Sequence, residues 1–430
     1  MDSSAAVENL LGDVRRWCQQ QLHVASLAEA EELAQAISRQ VAEVIVTEGA
    51  QQVSGQASYE GCSLPCPCGR RAKFVGYRSR WVVTRAGPVQ VTRAYYHCRH
   101  CGQSQAPWDR REGLSSRQWT PAVKELIAQF AGRLPYAEAV ELLELSTGLR
   151  MEEFSAEQLV AEIGAGLRAQ AAAEQATALS EAPALLIPVP DRLYIGLDGT
   201  HAHIDEAWHE VKTGVIYEAV PNAEGQDEAV NCQYLAAQES AEAFGARAYG
   251  VAARRGVEQA AETVVIGDGA EWIWNLAAEH YPQATEIVDY WHACEHIWEL
   301  RAVLYAEGSA AGDRWAHAHC RRLKEDGPVG WLRALQRLRP ASAAGQEAVR
   351  LELGYFQRHR RRMHYPAFRA RGLMIGSGPV EAACKRVVGD RLKRAGMRWS
   401  AAGADAVLAV RCALLNHEQA QLAQACQQAA

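Results

Sequence analysis

The chain has 430 residues, 48% of them hydrophobic, with 12 Trp and a net charge of −6. That length exceeds one ordinary compact core, so two to four domains are expected, and no apolar run approaches the roughly 18 residues of a membrane span. The polar, acidic start MDSSAAVENLLGDVRRW does not read as a secretory signal, so a cytosolic protein with reduced thiols and no membrane partner is expected.

Residues 1–60 repeat apolar side chains at three- and four-residue spacing in AVENLLGDVRRW and SLAEAEELAQAISRQVAEVIV, which predicts an N-terminal helical region. The second helix is a candidate for dimerisation, although packing of an amphipathic helix is the commoner use of that pattern. Residues 61–112 then rise in Cys, Gly, Pro and Arg, and WVVTRAG and VQVTRAYYH read as strands joined at Ala86-Gly87-Pro88. Within this stretch stand Cys66-Pro-Cys68-Gly69 and Cys98-Arg-His-Cys101-Gly102. Two thiolate pairs across a hairpin, each followed by glycine, form a zinc-ribbon pattern, and four sulfur ligands leave no open position, so one structural Zn²⁺ is expected. The first pair is C-x-C rather than C-x-x-C, with Cys62, His97 and His100 nearby as substitutes. Arg78 and Arg80, interleaved with aromatic residues, are candidates for DNA contact.

Residues 113–180 return to helix in TPAVKELIAQFAG, PYAEAVELLELSTG and SAEQLVAEIGAGLRAQAAAEQ. A helix-turn-helix fits their order, and a structural three-helix bundle fits it equally. A Pro-containing linker, 180–191, leads to a third section, 190–292. Here three strands (RLYIGLD, HEVKTGVIYEAV, CQYLAAQ) precede helix, strand TVVIGD, helix and strand ATEIVDYW. Three successive strands followed by alternating helix and strand is the order of an α/β RNase H-like core. Residues 293–372 read as a helical insertion, and 373–430 as the last core helix, starting near Ser377–Pro379, with a C-terminal helix.

Three acids stand out against that frame. Asp198 and Asp268 fall where apolar strands end, in YIGLDGT and TVVIGDGAEW, and Glu381 falls in the first helical turn of IGSGPVEAACK. Carboxylates converging at one sheet edge suit two hard divalent cations, Mg²⁺ with Mn²⁺ as a substitute, for attack on phosphodiesters. Asp205, Glu206 and Glu271 are the rival acids. Asp289 and His292, in IVDYWHACEH, close the next strand. His292 reads either as an auxiliary catalytic group or as a core histidine.

Charge distribution points to the same partner. Residues 62–111 hold ten Lys/Arg against one acid, +9, and residues 358–398 hold twelve against two, +10, leaving −6 − 19 = −25 elsewhere. Two basic patches on an acidic body suit a protein gripping a phosphate backbone. Lys385, Arg386, Arg391, Lys393 and Arg394 are the candidate contacts in the second patch.

The blocks CPCG, RAYYHCRHCG, YIGLDGT, ESAEAF, VVIGDGAEWIWNLAAEHYP, IVDYWHACEHIWEL and GYFQRHRRRMHYPAFRARGLMIGSGPVEAACKRVVGDRLKRAGMRWS together resemble bacterial insertion-sequence DDE transposases of the ISKra-four group, relatives of the Mutator-like superfamily. The resemblance covers most of residues 62–412. It implies Asp198, Asp268 and Glu381 as catalytic acids, a helical insertion before the glutamate, and Asp289-x-x-His292 as that superfamily's aspartate/histidine signature. It also implies double-stranded DNA partners (transposon terminal inverted repeats and target DNA), at least a dimer, and a nucleoid-associated cytoplasmic location. Two rival readings are a compact RuvC-like RNA-guided nuclease and a catalytically silent DNA-binding repressor.

Overall fold

The computed structural model describes residues 3–114, 117–180, 188–224 and 227–429. The chain forms two compact units, Met1–Val123 with Thr147–Leu149, and Lys124–Ser146 with Arg150–Ala430.

The first unit opens with helices α1 (Ser3–Gln21) and α2 (Leu27–Val53). Ser26 caps α2 by accepting from the Glu29 amide at 3.2 Å. Strands β1 (Ser63–Pro65), β2 (Arg71–Thr84), β3 (Gly87–His97) and β4 (Ser104–Gln105) form an antiparallel sheet in that order. The β2–β3 turn is Arg85-Ala86, closed by Thr84 opposite Gly87, one step earlier than the Gly-Pro pair suggested. Short helix α3 (Pro107–Arg111) buries Trp108 against Val82, Val89 and Val91.

Helices α4 (Pro121–Ala131), α5 (Tyr136–Thr147) and α6 (Glu153–Ser180) lead into the second unit. Its sheet contains β5 (Arg192–Ile204), β6 (Ala207–Pro221), β7 (Asp227–Ala237), β8 (Glu262–Gly267) and β9 (Thr285–Val288) in the order β7-β6-β5-β8-β9. The first three strands pair antiparallel, and β8 and β9 run parallel to β5. Crossovers are made by α7 (Ala241–Arg254) and α8 (Glu271–His280). After β9 come α9 (Tyr290–Leu304), α10 (Ala310–Asp326), α11 (Pro328–Arg337), α12 (Ala343–His359) and α13 (Tyr365–Ala370). The chain then forms α14 (Gly378–Ala383), a π-helical turn (Cys384–Gly389), α15 (Asp390–Leu392), α16 (Ala401–Leu415) and α17 (Gln419–Gln428).

One continuous core joins the central strands to the helices after β9: Ile195, Leu197, Val265 and Ile287 pack in the same cluster as Trp331, Phe356 and Tyr365. The helices expected as an insertion therefore share the core of the sheet. Helix α6, expected to belong with a DNA-binding region, lies instead against α7, α16 and α17 within the second unit. The approach to α16 is close, since a Cβ on Gly164 would stand 2.5 Å from the Ala406 backbone. Residues 181–187 of the expected linker lie outside the described residues. Among the described residues no helix is long and apolar enough to cross a membrane.

Candidate active site

Strand β5 runs in parallel register with β8 up to Leu197 opposite Gly267, and β8 with β9 up to Gly267 opposite Val288. The next residue on each strand is acidic: Asp198, Asp268 and Asp289. Neighbouring strands lie about 4.8 Å apart, so three carboxyl-bearing residues follow one another along one rim. Asp198 is not at a strand end, as the sequence suggested. β5 continues beside β6 as far as Ile204 opposite Ala207, and Asp198 marks the point where only its parallel neighbour stops. Asp268 accepts from the Ala270 amide at 2.8 Å ahead of α8. Gly269 follows at φ +117°, and a Cβ there would stand 2.7 Å from the Tyr355 hydroxyl, which donates to the Asp268 carbonyl at 3.0 Å.

Glu381 reaches this rim on α14. Val380 lies 3.2 Å from where a Cβ on Gly196 would stand, so the bare glycine lets α14 settle onto β5. One turn on, Cys384 Sγ donates to Asp198 Oδ2 at 3.3 Å. Glu381 sits between those two contacts in sequence and is exposed. The sequence predicted an α-helix carrying Lys385 one turn beyond Glu381. The helix instead widens at Cys384 into the π-helical turn, a form that recurs at functional sites. Lys385 and Arg386 remain exposed, with Arg386 Nη1 3.5 Å from the Tyr234 hydroxyl.

Asp289 has a role that the sequence did not show. It is 1% exposed. Its Oδ1 accepts from the Trp291 and His292 amides and caps α9. Its Oδ2 accepts from the Ser377 amide at 2.7 Å and from the Ser377 hydroxyl. The Ser377 carbonyl in turn accepts from the amides of Val380 and Glu381 at 2.8 and 3.0 Å, while the Tyr290 amide holds the Ile375 carbonyl at 2.8 Å. A carboxylate has about four lone-pair sites, and four donors occupy those of Asp289. It is a strut that fixes the turn carrying Glu381. His292 is half-buried, with Nδ1 3.1 Å from Glu295 Oε2 and its ring edge-on to His296 at 5.0 Å, which is not a core histidine's setting. Among the rival acids, Asp205 and Glu206 form the β5–β6 turn and Glu271 is exposed on α8.

Burial first, then the charges of Asp268 and Glu381, push the Asp198 carboxyl up to about 6, against the hydrogen bonds from Cys384 and the Gly199 amide. Glu381 is also raised, by burial and by the charges of Asp289 and Glu295. His292 draws Glu381 part of the way back, and bound cations would relieve both the burial of these charges and their repulsion. Their oxygens do not close into a cage. Among the described residues, the groups whose ligand atoms all lie within 4.8 Å of one another are the four cysteines and His296–Glu299–Glu352. Acids that bracket two ions about 3.5–4 Å apart need a wider spread than a single-ion cage.

In the first unit, Cys66 Sγ lies 3.5 Å from Cys101 Sγ and Cys68 Sγ 3.7 Å from Cys98 Sγ. Tetrahedral Zn–S bonds of about 2.3 Å place sulfurs about 3.8 Å apart, whereas a disulfide needs about 2.05 Å. Gly69 and Gly102 take φ +82° and +74°, and their amides donate to the Cys66 and Cys98 carbonyls at 2.9 Å. The backbone amides of Cys101 and His100 draw the Cys98 thiol down to about 6, the Cys101 amide foremost. Cys66, although pulled down by the Cys68 amide, is pushed up to about 12 by burial and the neighbouring sulfurs. Cys62, His97 and His100 stand outside the four-sulfur group.

The basic candidates divide. Arg78 is exposed with its guanidinium 4.0 Å over the Tyr95 ring. Arg80 and Arg93 are tied to Asp109, at 2.8 and 2.9 Å, so Arg80 braces the first unit. Arg391 is a correction. It is fully buried, donates to the Ala131 carbonyl at 2.8 Å and lies over the rings of Tyr136 and Trp399, so it has no surface to offer DNA. Lys393 and Arg394 are exposed, Lys393 donating to the Thr200 hydroxyl and Arg394 to the Asp390 carbonyl.

The profile of the uncharacterised protein family UPF0236 matches residues 68–427. The chain belongs to that family. The matched span takes in Asp198, Asp268, Asp289, Glu381 and three of the four clustered cysteines, with Cys66 just before it. No curated protein matches the chain.

Proposed function

We propose that this UPF0236 protein is a DDE transposase that cleaves DNA at transposon ends and joins them to target DNA, built on an RNase H-like core with a separate zinc ribbon. The reading is carried by the register of the sheet: Asp198 and Asp268 are adjacent across two parallel strands, and α14 brings Glu381 onto the first of them. The strand order β7-β6-β5-β8-β9 supports the assignment of the core, and four sulfurs at zinc-compatible spacing support the ribbon.

Asp198, Asp268 and Glu381 would hold the divalent cations, Mg²⁺ or Mn²⁺. Bound ions of that kind activate water or a 3′-hydroxyl and stabilise the leaving oxygen. The chain's own part is positioning. Asp289 and Ser377 hold the Glu381 turn, Cys384 orients Asp198, and Lys385 and Arg386 stand exposed on the same helical segment to meet phosphate. The ribbon and exposed Arg78 would contact the terminal repeats, two copies of the chain acting on two ends.

The test is metal-dependent nicking of a duplex that carries the element's end. Asp198→Asn, Asp268→Asn and Glu381→Gln should each abolish nicking while leaving DNA affinity intact. Near-normal cleavage by any one variant removes that residue from the catalytic set.

A further inference from the structure

We infer that a groove beside the β5–β6 hairpin holds an unpaired base of the DNA strand leaving the acidic site, with Trp208 as its stacking surface. This rests on the DNA reading proposed above. Trp208 is 68% exposed, so its indole adds little to the core, where burial of such a side chain is stabilising. It stands opposite His203 across the hairpin, the two rings edge to face at 5.7 Å. His203 Nδ1 is shielded from solvent and has no hydrogen-bond partner among the described residues.

The hairpin that presents the indole is braced. Asp205 and Glu206 both take left-handed backbone, φ 46° and 62°, although neither is glycine. The Asp205 amide donates to the Trp399 carbonyl at 2.8 Å, and its carboxylate accepts from the Ala401 amide at 3.3 Å. The Trp399 amide donates to the His203 carbonyl at 3.3 Å. A stacking surface held this firmly loses little freedom on binding.

The groove has a volume of about 330 Å³ and is lined by His203, Trp208 and the segment from Leu392 to Arg398. Lys393, Arg394 and Arg398 bring positive charge to it. Glu206 faces Arg398 at 3.2 Å and Glu138 faces Arg394 at 3.5 Å, both through solvent-exposed pairs, which bind weakly and yield readily to phosphate. Lys393 reaches the hydroxyl of Thr200, about 7 Å along β5 from Asp198 at the usual rise per residue. Cations that follow a backbone, together with an open aromatic face, are what a single strand requires. A fully paired duplex keeps its bases stacked on one another and offers none to Trp208.

The experiment measures fluorescence anisotropy with the full-length protein and no added divalent cation, so that no cleavage intervenes. It compares a blunt duplex with the same duplex bearing a single-stranded thymidine overhang. The unaltered protein should prefer the overhang. Trp208→Ala should lose about tenfold in affinity for the overhang and nothing for the blunt duplex, while Trp208→Phe keeps most of the preference. Circular dichroism checks that both variants fold. Equal affinity of Trp208→Ala and the unaltered protein for the overhang overturns this inference and leaves the cleavage reading standing. An unaltered protein that binds neither duplex overturns the DNA reading and this inference with it.

Discussion

Asp289→Ala distinguishes a strut from a metal ligand. The substitution removes the α9 cap, worth about 1 kcal/mol. It also strands the Ser377 amide, in a residue only 6% exposed, for about 1–3 kcal/mol more. Together these predict a loss of roughly 2–4 kcal/mol, visible as a lower urea midpoint. Ser377→Ala deletes only the hydroxyl donor and leaves the amide bond at 2.7 Å, so it should lose about 1 kcal/mol. The second readout is ion affinity, measured by Mn²⁺ spin-resonance titration with Mg²⁺ as competitor. A strut acts through Glu381, so affinity should weaken in the order in which the turn is loosened, more for Asp289→Ala than for Ser377→Ala. Adding Asp289→Ala to Glu381→Gln should then weaken it little further, because Asp289 acts only through Glu381. Loss of ion binding in Asp289→Ala, with Ser377→Ala unchanged in affinity, would mean that Asp289 coordinates the ion and the strut account is wrong. The strut account fails equally if neither the midpoint nor the affinity moves.

Chelation should withdraw one zinc per chain, read with a metallochromic dye, and disorder the cysteine end of the four-stranded sheet, with Cys98→Ser reproducing the effect. A purified protein with all four thiols titratable and no zinc would count against the ribbon. His359 is 2% exposed, and burial first, then Arg362 and Arg358, pull it from 6.5 down to about 4. The unfolded chain gains that proton at higher pH than the folded one, so its share of stability is complete above pH 6.5 and is lost as pH falls towards 4. Thermal midpoints should show this, and His359→Gln should flatten that part of the curve. Arg391→Ala should destabilise the fold by about 2–4 kcal/mol without changing the DNA affinity of folded molecules. Lys385→Ala should do the reverse, lowering the salt dependence of binding by about one phosphate contact.

The strands of the second unit were legible because apolar runs such as RLYIGL and TVVIG are bounded by glycine and acid, and those boundaries marked Asp198 and Asp268. The length of β5 was not, since THAHI beyond Asp198 is too polar to read as buried and is held by its pairing with β6. The glycine after each cysteine pair announced a tight turn, and both glycines adopt positive φ. Arg391 shows the limit of reading charge runs. DRLKR looks like one basic surface, yet helical rotation turns a single guanidinium inward onto Trp399, eight residues on, and Tyr136, far away in sequence. Cys384 carried no signal in EAACK, because its importance arises only where the π-helical turn meets β5. Ser377 marked a helix start, but its bond to Asp289 spans 88 positions and leaves no local trace.

The four carboxylates of the candidate site fall into two kinds according to what their lone pairs do. Asp289 faces four donors, so its charge is satisfied within the protein. Asp198 has one amide and one thiol, Asp268 one amide, and the exposed Glu381 carboxylate has no hydrogen bond from the described residues. A thiol is a weak donor, so Asp198 Oδ2 is held in place at little energetic loss when an ion displaces the contact. Asp198 and Glu381 are raised by burial first and by neighbouring like charges second, with His292 drawing Glu381 part of the way back. A first cation at this rim would lower Asp198 back towards the ordinary carboxylate range. Ion binding should therefore compete with protonation, and the apparent affinity should rise with pH through the region near 6 where Asp198 ionises.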